Sequence, residues 1–307
     1  MPVPVNHCVY QIGIDLMGAD VPPSHIVEAA LSLPDDFYKD TKLVLFGTEE
    51  HIISHPNSTF VACPEVVSMD DSPTSIIREK KETSLLVGVQ WLKKASNSAF
   101  LTCANTGALI AAVRSELECL PGISRPALAC SIVCKNGDVV MLDVGGNVET
   151  VAETLVQFAR LGTSYYRAVY GIQKPKVALL NIGQEAFKGT QELKSAAVLL
   201  QQEPDIEFVG NKEPYDVFTK QADVFVTNGF SGNLFLKSCE AYGRHIFEML
   251  KVQYPKIVAS DIIQEAGAEI LGVNKLVVKC HGAATKTAII NALIKIKQRL
   301  RIKALNC

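Results

Sequence analysis

Short apolar runs alternate along this chain with stretches of helical spacing. Runs at Tyr10–Ile14, Lys42–Phe46, Thr59–Ala62, Ala99–Cys103, Val139–Val144, Lys176–Ile182, Glu207–Val209, Asp223–Thr227 and Lys275–Cys280 are rich in Val, Ile, Leu and Phe on both faces. Strands covered on both sides have this character. Between them the apolar residues recur at three- and four-residue spacing. In Val148–Gly171, for example, Val151, Leu155, Phe158, Ala159 and Leu161 fall largely on one face. The alternation predicts an α/β fold, a mostly parallel sheet sandwiched by helices. With no internal repeat, low-complexity tract or evident linker, residues 1–307 read as one unit.

Composition changes this picture little. Apolar residues make up 48% and charged residues 20%, as in a globular protein with a sizeable core. Lys and Arg number 30 against 32 Asp and Glu, so no basic excess marks a nucleic-acid binder. Mean hydropathy is +0.18, which raises the question of a membrane. The longest uncharged run, Ala95–Val113, carries Ser96, Asn97, Ser98, Thr102, Asn105 and Thr106. A spanning helix needs about 20 predominantly apolar residues, so none is predicted. The N-terminal residues lack a basic, signal-like start. Nine scattered cysteines without CxxC spacing then read as reduced thiols of a cytoplasmic protein. No metal or cofactor is expected.

Ligands of open α/β sheets bind beyond the carboxyl ends of the strands. Here those ends carry small and polar residues: Asp15 to Asp20, Ala104 to Ala108, Asp143 to Asn147, Asn181 to Glu185, Gly210-Asn211, Asn228 to Asn233 and His281 to Ala284. Gly lets backbone approach a ligand, and Asn offers both a donor and an acceptor. The pattern predicts a crevice lined by amide donors. Neither Gly183–Thr190 (GQEAFKGT) nor Gly282–Thr287 (GAATKT) is a phosphate loop of the Walker type, but each sets a lysine, Lys188 or Lys286, near a strand-to-helix turn. A helix N-terminus beside a lysine suits an anion. There is no GxGxxG, GxSxG or HExxH motif.

Taken in order, IDLMGAD, REKKETS, CANTGALIAA, PGISRPALA, LDVGGNV, LLNIGQEAFKG, FVGN, DVFVTNGFSGNLFLK and GAEILGVN…KCHG, from about residue 12 to residue 285, resemble the PlsX-type phosphate acyltransferases of bacterial phospholipid synthesis. The resemblance implies transfer of a fatty acyl group from acyl-[acyl carrier protein] to inorganic phosphate by a single catalytic unit. It also implies a fold like that of isocitrate and isopropylmalate dehydrogenases, a homodimer, and peripheral membrane contact. Such chemistry needs no activated side-chain nucleophile. Phosphate oxygens attack, a thiolate leaves, and the protein supplies alignment and donors for the developing oxyanion.

Roles follow as expectations. Asn105 and Thr106 bind phosphate or the acyl carbonyl. Lys188, with Asn181, holds phosphate charge, and Gly232, Asn233 and Lys237 form a second wall. Asp15 orients a lysine or an amide, and His281 assists the leaving thiol. Arg78 and Lys81 line the crevice or meet the acidic carrier protein. Departures from the family's usual pattern are Ala104 in TCANTG, Thr190-Gln191 after Lys188-Gly189, Asn228 in place of Asp, and Ala283-Ala284 after His281-Gly282. The family's helical insertion is short here, at about residues 251–266. From Ala284 to Lys303 a basic amphipathic helix suits either core packing or an anionic surface. Two other readings stay open: acyl transfer between phosphate and coenzyme A, as in phosphotransacetylases, and a non-catalytic carrier-protein-binding paralogue.

Overall fold

In chain order the elements begin with β1 (Tyr10–Asp15), α1 (Pro23–Leu31), α2 (Asp35–Tyr38), β2 (Thr41–Gly47), β3 (Ser58–Ala62), α3 (Ser84–Lys94), β4 (Ser98–Thr102) and α4 (Thr106–Glu116). Then follow β5 (Ala127–Ile132), β6 (Val139–Leu142), α5 (Ala152–Tyr170), β7 (Lys176–Leu180), α6 (Gln191–Leu200), β8 (Glu207–Lys212), α7 (Pro214–Phe218) and β9 (Val224–Val226). The chain closes with α8 (Gly229–Gln253), β10 (Ala268–Leu271), β11 (Leu276–Lys279) and α9 (Lys286–Leu305). This is a computed structural model, and it describes residues 10–52, 55–68, 71, 78–254 and 267–305. Of the short insertion, residues 255–266 lie outside the described residues.

The chain divides into two compact units, Met1–Glu118 with Val273–Cys307, and Cys119–Gly272. In the first, the strand order is β3-β2-β1-β4-β11, and every pairing is parallel. Ile12, Ile14, Leu43, Leu45, Leu101 and Val278 face a core completed by Ile26 and Ala30 of α1 and by Ile289, Leu293 and Leu300 of α9. The basic helix near the C-terminus therefore packs in the core. Its Lys286 pairs with Glu28, and Lys297 and Arg301 both pair with Asp40. Lys297 is buried, donates to the carbonyl of Phe37 at 2.7 Å, and lies over the Phe37 ring. Removing one partner of a buried pair strands the other charge. Asp40→Ala is expected to destabilise the first unit by about 3 kcal/mol, measured as a fall in the urea midpoint. Among the described residues no helix is long and apolar enough to cross a membrane.

In the second unit the order is β10-β5-β6-β9-β7-β8. The pairings β10–β5 and β5–β6 are antiparallel; those among β6, β9, β7 and β8 are parallel. Val140, Leu142, Val177, Leu179, Val224 and Val226 pack against Leu155, Phe158 and Ala159 of α5 and Ala196 and Leu200 of α6. The helix α5 ends at Gly171, whose φ of 73° is the left-handed cap conformation glycine adopts freely. The two strands not marked by an apolar run, β5 and β10, pair antiparallel with each other.

Candidate functional site

In the first unit, functional groups gather where β1, β4 and β11 end. Asp15 is fully buried at the last position of β1. Its Oδ1 accepts from the Met17 backbone N–H at 3.1 Å, and its Oδ2 accepts from the Thr102 hydroxyl at 2.8 Å. That hydroxyl oxygen in turn accepts from the Ala104 N–H at 3.0 Å. Burial pushes the Asp15 carboxyl up to about 6, and the hydrogen bonds from Ser84, Thr102 and Met17 and the charge of Lys279 only partly offset it. The folded state thus holds a proton that the unfolded chain releases near pH 4, so this contribution to stability declines as pH rises from about 4 to 6. The decline is expected to total roughly 3 kcal/mol and to vanish in Asp15→Asn, which urea titrations across this pH range would reveal.

Asn105 is the N-cap of α4, its Oδ1 accepting from the Ala108 N–H at 3.1 Å, and Thr106 is the first helical residue. Ala104 is buried, its Cβ close beside Gly18. His281 is exposed, and its Nδ1 accepts from the Ala283 N–H at 3.0 Å. Ala284 is buried, and its carbonyl meets His25 Nε2 at 3.1 Å. Arg78 and Lys81 are exposed just before α3. Lys286 serves the ion pair with Glu28 rather than an anion site. Sequence reasoning missed Lys279, a buried lysine at the end of β11.

In the second unit, the loop after β7 is tied down from within. The Asn181 Oδ1 accepts from the Ile182 N–H at 2.8 Å, and its Nδ2 donates to the Lys188 carbonyl at 3.2 Å. Gly189, at φ 87°, lies so close that an added Cβ would meet the Asn181 Oδ1 at 2.5 Å. Asn211 Nδ2 donates to the Glu185 carbonyl at 3.2 Å. Both amides therefore shape the Lys188 loop, a positioning role for Asn181 that spacing alone did not suggest. The half-buried Lys188 stem packs by Gly183, and its Nζ lies 5.6 Å from the Phe187 ring centre. Thr190 then caps α6 through the Leu193 N–H at 3.4 Å. A lysine ammonium just before a helix N-terminus is well arranged for a small anion.

The N-terminus of α8 meets the loop after β6. Asp143 is buried, and its carboxylate accepts N–H bonds from Leu128, Gly145, Gly146 and Asn147, with a further bond from Asn147 Nδ2. Asn228 caps α8, its Oδ1 accepting from the Ser231 N–H at 2.8 Å. Asn and Asp cap helices about equally well, so the exchange of Asp for Asn keeps this function. The Asn233 side chain lies beside Gly145. Lys237 follows one turn later on α8 and is exposed. Gly232 packs directly on the Asp143 carbonyl. Asp143 and Asn211 stood in the quoted motifs without a role, and only tertiary contacts reveal one.

Similarity to known proteins agrees with this architecture. The profile of the family described as "Fatty acid synthesis protein" matches residues 10–303. The chain is 36% identical over 315 residues to a phosphate acyltransferase of Halothermothrix orenii, covering 94% of each. A phosphotransacetylase from Streptococcus pyogenes superposes with a TM-score of 0.66 at 16% identity, covering 96% of both chains. A 4-hydroxythreonine-4-phosphate dehydrogenase from Klebsiella pneumoniae superposes at 0.56 with 10% identity, covering 95% of this chain and 99% of its own. These two likenesses establish the fold, which is of the dehydrogenase-like kind the resemblance implies. The match to the family model and to its relatives along nearly the whole length leads to one conclusion: the chain belongs to the phosphate acyltransferase family.

Proposed function

We propose that this protein transfers a fatty acyl group from acyl carrier protein to inorganic phosphate, yielding acyl phosphate and free carrier thiol. One observation carries the reading: the Lys188 loop, held at two of its carbonyls by Asn181 and Asn211, ends at a capped helix N-terminus. A phosphate oxygen attacks the thioester carbonyl carbon, the C–O bond forms, and the C–S bond breaks as the thiolate leaves. Lys188 holds the phosphate charge, while Asn233 and Lys237 form the second wall. In the first unit, Asn105 and Thr106 bind phosphate or the acyl carbonyl, and His281 protonates the departing thiolate. The match of a relative along 94% of the chain supports residues 1–307 acting as one catalytic unit.

The test is formation of hydroxylamine-trappable acyl phosphate, with carrier-protein and coenzyme A thioesters assayed side by side. Phosphate-dependent product from the carrier thioester supports the reading. Product from coenzyme A alone favours a phosphotransacetylase-like activity, and carrier binding without turnover favours a non-catalytic paralogue.

The exposed Arg78 and Lys81 suit an acidic carrier protein. Changing both to Glu is expected to raise KM for the carrier thioester about tenfold, leaving KM for phosphate unaffected in the same assay. A homodimer is supported by α8, which exposes Phe230, Leu234, Tyr242, Met249 and Val252. Single molecules in light scattering would refute it. Localisation is proposed as cytoplasmic with peripheral membrane contact, tested by sedimentation with anionic vesicles.

A further inference from the structure

Lys279 has no part in the transfer just described, yet it is only 9% exposed. A buried ammonium is costly unless it is fully partnered. Lys279 ends β11 and pairs in register with Thr102, which ends β4. Its Nζ donates to the Cys103 carbonyl at 3.3 Å and to the Cys280 carbonyl. The buried Asp15 carboxyl supplies opposing charge.

The place of these two carbonyls in the chain gives them meaning. Cys103 lies two residues before Asn105, and Cys280 immediately precedes His281. A single ammonium carries three donors on one atom, so it can bind two carbonyls and face a carboxylate at once. Asp15 extends the same tie, through the Met17 N–H and through Thr102 to the Ala104 N–H. The Asp20 N–H also donates to the Gly282 carbonyl at 2.9 Å, linking the loops after β1 and β11.

We propose that Lys279 is a positioning residue, tying the loop between β4 and α4 to the loop between β11 and α9 so that Asn105, Thr106 and His281 are presented in one fixed arrangement. The proposal rests on the acyltransferase reading for its catalytic consequence, but its structural part stands apart from activity. A methionine side chain, one atom shorter, fills most of the space and donates nothing to either carbonyl.

The experiment compares Lys279→Met, Asp15→Asn and the double variant by turnover, thermal midpoint and amide hydrogen exchange. Lys279→Met is expected to lower kcat about a hundredfold, the scale of a small misplacement of reacting groups. Exchange at Ala104–Thr106 and His281–Ala283 should quicken by about tenfold while β7 and α5 remain protected. The double variant removes both charges, so its midpoint recovers toward the wild type, whereas its kcat stays low.

Recovery of kcat together with the midpoint would make Lys279 only a counterion and overturn the proposal. Unchanged exchange in both loops overturns it as well. If Lys279→Met fails to fold, the electrically balanced double variant carries the same comparison. A wild-type protein that forms no acyl phosphate from any donor removes the transferase reading, while faster loop exchange in the variants still upholds the tie.

Discussion

Lys188→Ala is expected to form acyl phosphate about two to three orders of magnitude more slowly than the wild type, the usual cost of removing one preorganised group that stabilises developing charge. Folding should be spared. The bond that shapes the loop runs from Asn181 to the Lys188 backbone carbonyl, which alanine retains. The Lys188 side chain itself is half-exposed and touches chiefly Gly183 and Phe187, so the thermal midpoint should correspond to a stability change within about 0.5 kcal/mol. Hydroxylamine trapping at saturating donor, with phosphate varied, measures the effect. Full activity in a folded Lys188→Ala protein would take Lys188 out of the site.

Gly232→Ala should act on the scaffold instead. A Cβ at this position would lie 2.0 Å from the Asp143 carbonyl oxygen and 2.9 Å from Thr227 Cγ2. Neither can retreat easily. The Asp143 N–H donates to the Thr227 carbonyl at 3.1 Å, and the Asp143 carboxylate is held by several N–H groups. Relief therefore requires α8 to lift from the end of β6. The expected loss is more than about 4 kcal/mol, in the range reserved for severe overpacking against a fixed backbone. It should appear as a large drop in the urea midpoint, with activity lost even in the fraction that stays folded, because Asn233 and Lys237 move with the helix. A variant as stable as the wild type would refute the close approach of α8 to β6.

Nine apolar runs anticipate nine of the strands; seven of these are largely buried, whereas β3 and β8 are partly exposed. The two strands without such a run show what the pattern cannot see. In β5, Ala127, Ala129, Cys130 and Ser131 are small, and β10 has four residues, one of them Glu269. The two pair antiparallel with each other although they lie far apart in the chain. The expected strand at Glu207–Val209 continues to Lys212, past a glycine at φ 83°.

The site was legible where strand ends carry Asn and Gly, because those residues signal turns and caps locally. Thus Asn105, Thr190 and Asn228 all cap helices. Asn228, which stands where the family usually has a carboxylate, is a conservative exchange as a cap. Lys279 was hidden for the opposite reason. At the end of an apolar run it reads as an ordinary polar terminus, and only the neighbouring strand shows that it is enclosed. The basic helix α9 was ambiguous by composition, and the acids Glu28 and Asp40 that resolve it lie some 260 residues away in sequence.

The first unit is assembled from two distant stretches of chain, and this has a consequence for synthesis. Residues 119–272 form a continuous unit that leaves the ribosome complete, while the unit begun earlier still lacks β11 and α9. Until that last stretch emerges, Ile12, Ile14, Ile26 and Leu101 have no Ile289 or Leu293 to cover them. At about 5–20 residues per second the wait is several seconds or more for the whole intervening segment. The order of completion is therefore inverted: the half translated first is finished last, and during that interval its uncovered apolar face is a natural client for a chaperone.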